Sequence, residues 1–234
     1  MSKFWESELE PGYYDKVLSK GLEAGKGIQT NWHLITFLNT QMHIKESDKH
    51  LDYACGPGTL IGKFSNADSI GVDIAESQIQ YAKNKYRETG KFFSLDQFEF
   101  NDYKNHFDVV TILGLIEFLS DKEIEELLSK VYSSLKPGGK LILTTPNFNS
   151  LIYPISDRLS LVNWSGQHKN KFNSKKLRLF LANTSFKSFK VTKILTIGML
   201  VSFISINIGL FFEKLLRIAL FQSQGFVIMV ELKK

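Results

Sequence analysis

Short apolar runs alternate with helical patterns through the middle of the chain. Five of these runs predict β-strands, at residues 50–54, 69–73, 91–95, 107–113 and 139–145. Between them, stretches such as 76–88 and 121–135 repeat apolar positions with the period of a helix. The strand-like runs show little polar alternation, so both faces of the strands are expected to be covered. This pattern predicts a parallel, doubly wound α/β sheet.

Both ends of the chain depart from this alternation. Residues 1–48 are predicted to be helical, because Ile28, Trp32, Ile35 and Met42 fall near one helical face. Two further strand-like runs, at 189–195 and 225–234, are not separated by a polar helix. They therefore predict an antiparallel pair that closes the sheet.

A long apolar segment lies between the two closing strands. Residues 194–212 carry no charge over 19 positions, which reaches the minimal length for a membrane span. However, a span would separate residues 225–234 from the sheet that they should complete. We therefore predict that residues 197–222 form helical structure that covers apolar surface. That surface belongs to the protein itself, to a second copy in a homodimer, or to a membrane contacted peripherally.

Composition narrows the class of protein. The chain has 234 residues, a net charge of +5 and one cysteine, Cys55, so an internal disulfide framework is excluded and a reducing compartment is favoured. The sequence has no basic helix or RNA-binding motif, which argues against a nucleic-acid partner. The acidic start "MSKFWESELEPGYYD" lacks the apolar core of a signal peptide. We expect a cytoplasmic protein, or one peripheral to a membrane.

Candidate chemistry begins in "HLDYACGPGTLIGKF", residues 50–64. Glycines between a strand and a helix let the backbone approach a ligand closely, which makes a cradle for a small molecule. Asp73 ends the second predicted strand, 21 residues after Asp52. A carboxylate at this position can accept hydrogen bonds from both hydroxyls of a ribose. A dinucleotide fingerprint would need a third glycine at position 61, which is Ile61 here.

With the turn "LKPGGKLILTTPN", these residues resemble the class I S-adenosylmethionine (SAM)-dependent methyltransferases, closely over 48–147 and loosely over 148–234. The resemblance implies a Rossmann-like doubly wound sheet, mostly parallel with an antiparallel C-terminal strand, plus N-terminal helices and an apolar helical insertion before the last strand. It implies one domain over 1–234, with a helical cap (1–48), a SAM-binding core (49–147) and a substrate-side region (148–234).

The same resemblance implies SAM as the cofactor, and we predict no metal. Its motifs fall on a set of predicted cofactor-binding residues: Asp52, Ala54, Gly56, Gly58, Asp73, Ile74, Asp96, Gln97, Leu113 and, from the cap, Trp32. Ala54 stands where the family usually has glycine, and its small side chain is expected to be tolerated. Near Glu117, a position that is often glutamate in the family, Gly114 and Phe118 depart from the usual pattern.

Candidate catalytic residues lie outside the sheet. His168 follows the fifth strand, and its spacing to Phe172 resembles that of small-molecule methyltransferases, so it is a candidate general base. His33 and Tyr14, in the predicted cap, are further candidates. For all three, a structural role is the alternative, and Glu117 is expected either to be structural or to orient the acceptor.

These observations predict a SAM-dependent methyltransferase that acts on O or N of a small-molecule acceptor. One alternative is a membrane-surface methyltransferase that acts on a lipid or quinone precursor. A second is a catalytically silent SAM-binding regulatory subunit.

Overall fold

The computed structural model describes residues 9–150, 168–196, 198–218 and 225–234. In these residues the strands are β1 (Lys49–Tyr53), β2 (Asp68–Asp73), β3 (Lys91–Ser94), β4 (Phe107–Leu113), β5 (Leu135–Pro146), β6 (Ser188–Ile194) and β7 (Val227–Lys233). The helices are α1 (Tyr13–Ala24), α2 (Ile28–Gln41), α3 (Thr59–Phe64), α4 (Glu76–Tyr86), α5 (Asp121–Ser134), α6 (Ser174–Leu181), α7 (Gly198–Val201) and α8 (Ile206–Ile218). Short 3-10 turns follow β3 and β4, at Leu95–Gln97 and Ile116–Phe118.

The described strands form one sheet in the order β3-β2-β1-β4-β5-β7-β6. Strands β1 to β5 pair in parallel, whereas β7 pairs antiparallel with both β5 and β6. This arrangement confirms the predicted doubly wound sheet with an antiparallel closing pair. Adjacent residues send their side chains to opposite faces of the sheet, as Val109 and Val110 illustrate by belonging to separate buried clusters.

Two boundaries differ from the sequence prediction. The predicted helical region 1–48, of which residues 1–8 lie outside the described residues, contains two helices, α1 and α2, separated at Gly25 and Gly27, both of which have positive φ angles (66° and 142°). A positive φ interrupts the right-handed helix, and glycine adopts it at little cost because it has no Cβ. Strand β5 starts at Leu135 rather than near 139, because Leu135 pairs with Phe107 before the register shifts through the Gly138 turn.

Helix α1 is held on the sheet side of the molecule by a buried carboxylate. The side chain of Asp15 is fully buried and accepts hydrogen bonds from Tyr81 (2.8 Å), Lys85 (2.6 Å) and Tyr86 (2.7 Å), with the Lys63 ammonium 3.0 Å away. Burial alone would raise the pKa of Asp15, but these hydrogen bonds outweigh it and hold the pKa at about 2. The cap is therefore joined to α3 and α4 by charge as well as by packing.

The predicted apolar insertion contains α7 and α8. Residue 197 and residues 219–222 of that insertion lie outside the described residues. None of the helices in the described part of the chain has both the length and the apolar character needed to cross a bilayer.

Candidate functional site

The candidate site lies where the strand order reverses. The chain runs from β1 outward to β2 and β3, then returns to β4 on the other side of β1. Loops that leave β1 and β4 therefore diverge, and they open a crevice at the carboxyl ends of these strands. The register places Asp52 beside Thr111, and Asp73 beside Ser94, so the predicted acids of β1 and β2 lie at this edge.

The loop after β1 has the backbone shape of a ligand cradle. Gly56 and Gly58 adopt positive φ angles of 53° and 72°. A Cβ on Gly58 would lie 2.6 Å from the Phe92 ring, so this glycine is required for packing of α3 against β3. A Cβ on Gly56 would meet only the Tyr14 ring, at 4.0 Å, so the backbone at Gly56 faces open space.

Asp73 holds this loop in place. Its Oδ2 accepts a hydrogen bond from the backbone N–H of Gly56 (2.8 Å), and its Oδ1 accepts one from Ala75 (2.8 Å). Burial raises the pKa of Asp73, although the backbone hydrogen bonds oppose the shift. The carboxylate thus connects the β1 loop to the start of α4, at the position predicted for ribose recognition.

The backbone conformation at Ala54 gives a further reason why glycine would suit this position. Its φ angle is 65°, in the left-handed region that disfavours residues with a Cβ. The glycine that the resemblance implies for this position would therefore be favoured by the backbone conformation, in addition to the space beside a ligand. Ala54 stores strain on the order of 1 kcal/mol.

We expect Ala54→Gly to raise the free energy of unfolding by up to about 1 kcal/mol, because the strain is relieved. Ala75→Gly is the matched control, since Ala75 is buried but has an ordinary φ of −84°. That control should lower the free energy by about 1 kcal/mol. Urea unfolding measures both, and a similar loss in the two variants would show that the Ala54 methyl contributes more by packing than it costs in strain.

A buried hydrogen-bonded chain that was not predicted leads to Asp52. The Thr111 hydroxyl donates to Oδ1 of Asp52 (2.6 Å), so it accepts from Nε2 of His50 (2.9 Å). Burial lowers the pKa of His50 to about 3, which keeps the ring neutral. Burial also raises the pKa of Asp52 to about 7, and the charge of Asp73 contributes to that shift. The sequence signal for this hydrogen-bonded chain was the presence of two polar residues, His50 and Thr111, on adjacent strands.

Glu117 is buried beneath the loop that follows β4. Thr145 donates to its Oε2 (3.1 Å), and its backbone carbonyl accepts from the Asn170 N–H (2.9 Å). Burial raises the pKa of Glu117 to about 7. The neighbouring His168 ring lies between Phe118 (4.9 Å between centroids) and Phe148 (5.3 Å). The structure therefore brings His168 and Glu117 to the same side of the crevice.

Tyr14 on α1 covers the crevice from the cap. Its ring lies over Gly56 and packs edge-on against His33, with 5.1 Å between centroids. Burial raises the pKa of Tyr14, and the charges of Asp73 and Glu117 add to the shift. Burial lowers the pKa of His33 to about 4, and its buried Nε2 has no hydrogen-bond partner in the described residues.

The remaining predicted residues occupy different positions. Asp96 and Gln97 are exposed in the 3-10 turn after β3, while Ile74 and Leu113 are partly buried at the ends of β2 and β4, on the crevice edge. Trp32 is farther along the sheet, where its ring packs against Phe226 beside β7 (4.7 Å between centroids). The predicted cofactor contacts of all five stay predictions.

Three carboxylates give the crevice an unbalanced negative character. In the part of the chain that the structure describes, no lysine or arginine pairs with Asp52, Asp73 or Glu117. Removing these three carboxylates from water is costly, and burial therefore raises the pKa of each carboxyl group. A cationic ligand would stabilise this arrangement, whereas an anionic one would be repelled. A separate cavity, lined by Lys49, Tyr103 and His106 among others, opens at the opposite, amino ends of the strands.

Part of the chain is similar to known methyltransferases. A family model described as a methyltransferase domain matches residues 51–139. A ubiquinone/menaquinone biosynthesis C-methyltransferase of Psychromonas ingrahamii is 31% identical over 121 residues, 46% of this chain and 47% of the relative. A ubiquinone biosynthesis O-methyltransferase of Coxiella burnetii is 30% identical over 129 residues, 52% of this chain and 53% of the relative. The chain thus spans about half the length of these curated relatives.

A solved structure is similar over most of the chain. It is a SAM-dependent methyltransferase from Archaeoglobus fulgidus, with a TM-score of 0.60 and 20% identity. The match covers 87% of this chain and 94% of that one, and it extends the shared fold beyond residues 51–139.

Proposed function

We propose that this protein, whose residues 51–139 match a model of a methyltransferase domain, transfers a methyl group from SAM to O or N of a small-molecule acceptor. The predicted cofactor, SAM, agrees with this family assignment. When bound, SAM supplies the electrophilic methyl group, and the chain's residues bind it, orient the acceptor and exclude water.

The unbalanced negative charge of the crevice is the observation that carries the proposal. SAM bears a sulfonium and an ammonium group, so Asp52, Asp73 and Glu117 provide complementary charge. The pyrophosphate of a dinucleotide would instead be repelled by the same carboxylates. The open backbone at Gly56 further suits a ligand that lies directly against the loop.

The cofactor side is assigned to the β1–β3 edge. Asp73 is proposed to accept hydrogen bonds from the ribose hydroxyls. Its present hydrogen bond from the Gly56 N–H is then either replaced or shared. Asp96 and Gln97 are proposed to contact the adenine, with Ile74 and Leu113 on its apolar faces. The exposure of Asp96 and Gln97 leaves their polar groups free to meet a ligand at this edge.

The acceptor side is assigned to the region between the cap and the loop after β4. This region is surrounded by Tyr14, His33, Glu117 and His168. Their local environments give these side chains different protonation states. The low pKa of His33 keeps it neutral, while the pKa of Glu117 near 7 allows it to hold or release a proton at physiological pH. His168 is proposed as a base or an orienting group for the acceptor.

A lipid or quinone precursor is a second candidate acceptor, favoured by two relatives that are named for ubiquinone biosynthesis. A SAM-binding regulatory subunit would share the cofactor side but show no turnover. Methyl transfer from radiolabelled SAM to an extracted lipid fraction or to a panel of soluble amines and hydroxyls separates these alternatives.

We expect Asp73→Asn to weaken SAM binding by about 10- to 100-fold, because one charged hydrogen-bond acceptor is lost. Calorimetric titration with SAM measures the change. Asp68→Asn is the matched control, since Asp68 lies exposed at the other end of the same strand. His168→Ala should also leave SAM affinity nearly unchanged, because His168 is assigned to the acceptor side. Unchanged affinity in a folded Asp73→Asn variant would contradict the cofactor assignment.

A further inference from the structure

Helix α8 has the reverse of the usual polarity for a surface helix. Its side toward the protein carries Ile206, Gly209 and Glu213, all buried. Its outward side carries large apolar residues with high fractional exposure: Ile208 (46%), Phe211 (63%), Phe212 (39%) and Leu215 (48%). The turn before it adds Phe203 (72%) and Ile204 (73%). We call these six residues the α8 apolar face.

The buried polar side of α8 fixes this orientation. The Glu213 carboxylate accepts hydrogen bonds from the backbone N–H groups of Leu195 (3.0 Å) and Thr196 (2.7 Å) and from the Thr196 hydroxyl (2.7 Å). Gly209 lies so close to Ser202 that a Cβ would be 1.9 Å from the serine Oγ. Rotating the helix to bury its apolar face would break these bonds and this contact, so the outward face is a built feature of the fold.

The charges around this face favour an anionic surface. Glu213, the only acidic residue in 198–218, is buried, whereas Lys214 is exposed. Exposed Lys26 lies in the adjacent α1–α2 connection, which is bonded to this region through Ile206 N–H to Gly25 (2.8 Å) and Gly27 N–H to Ser202 (2.8 Å). Glu23, at the end of α1, is the exposed acid on the cap side.

A second copy of the chain matches these charges less well. A two-fold interface centred on the α8 apolar face would bring Lys214 of both copies together, with no exposed acid of the segment to pair with them. An anionic bilayer accepts both parts of the surface, because acyl chains cover the aromatic side chains and headgroups pair with the lysines.

We propose that the α8 apolar face is a docking surface for an anionic membrane, on which α8 lies parallel to the bilayer plane. At 13 residues, α8 is long enough to lie in the interface and too short to cross it. Docking there places the α1–α2 connection at the membrane surface, next to the cap that carries Tyr14.

Co-sedimentation of the full chain with vesicles tests this proposal, in the absence of SAM so that the result is independent of methyl transfer. The vesicles contain phosphatidylcholine and phosphatidylglycerol in a ratio of about three to one, and pure phosphatidylcholine vesicles serve for comparison. We expect binding to the anionic vesicles that weakens with added salt. The variant Phe203→Ser/Phe211→Ser should lower the partition coefficient at least about tenfold.

The matched control is Met42→Ser/Leu179→Ser, which removes two equally exposed apolar side chains (84% and 63%) outside the α8 apolar face and should bind as the wild type does. Circular dichroism melting verifies that both variants fold. The proposal is overturned if the wild type does not bind the anionic vesicles, or if both double variants bind them equally well. A dimer in analytical ultracentrifugation that Phe203→Ser/Phe211→Ser dissociates, with no vesicle binding, would assign the surface to a second copy instead.

Discussion

Replacing Asp15 with alanine is expected to lower the free energy of unfolding by about 3 kcal/mol. The reason is that two lysines and two tyrosines converge on one buried carboxylate, so its removal leaves buried donors and positive charges without a partner. Because α1 is held on α3 and α4 by this group, the variant is also expected to expose Tyr14 and open the crevice. Urea unfolding followed by circular dichroism measures the loss, and tyrosine fluorescence reports the displaced cap.

An exposed ion pair between α1 and the residues just before it provides the control. Glu10 pairs with Lys16 at the surface, and Glu10→Ala should leave the free energy of unfolding nearly unchanged. Asp15→Asn should fall between the two variants, since the amide keeps one acceptor. Equal stability of Asp15→Ala and Glu10→Ala would show that α1 is held by apolar packing alone.

The ligand-free protein should lose stability as the pH rises above about 6.5, because two buried carboxyl groups must then lose their protons. In the folded state, burial raises the pKa values of Asp52 and Glu117 to about 7. Between their unfolded pKa values and 7, the folded state therefore binds more protons than the unfolded state, so each unit of pH removes stability. For Glu117 the loss is about 3 kcal/mol in total.

The low pKa of Asp15 has the opposite consequence. Because its folded pKa lies at about 2, its contribution is present above the unfolded pKa and is lost as the pH falls from about 4 to 2. The buried rings of His33 and His50 act against the two carboxyls, because their lowered pKa values of about 4 and 3 make stability rise with pH up to about 6.5. The five groups together predict a stability that changes little between about pH 4.5 and 6.5 and falls on either side. Thermal melts across this range test it, with Glu117→Gln and Asp52→Asn each expected to flatten the alkaline side. A maximum near pH 8 in the wild type would mean that the two carboxyls stay solvated.

The strands, and the placement of Asp52 and Asp73 at one edge of the sheet, were predictable because their signals are local. Asp52 and Asp73 each end an apolar run, and the glycines follow within a few residues, so periodicity and spacing suffice. The positive φ of Ala54 is a different case, since nothing in the local sequence indicates that an alanine adopts a left-handed backbone conformation there.

The docking of the cap could not be predicted in the same way. Asp15 is one of several acids near the start of the chain, and its partners lie 48 to 71 residues away in two other helices. No local pattern distinguishes it from the exposed Glu10. The orientation of α8 depends similarly on Glu213 meeting Thr196 across a turn, and a charge in an apolar segment suggests an exposed position until that contact is known.

The position of β7 constrains the order in which the molecule can assemble during synthesis. Although β7 follows β6 in the chain, it lies between β5 and β6 and bonds to both. Until β7 is in place, β5 is therefore an open edge, β6 has no neighbour in the sheet, and the apolar segment between β6 and β7 is uncovered. Unpaired edges and apolar surface are the features that general chaperones recognise, so the interval before β7 pairs with β5 and β6 is the stage at which this protein is most exposed to aggregation.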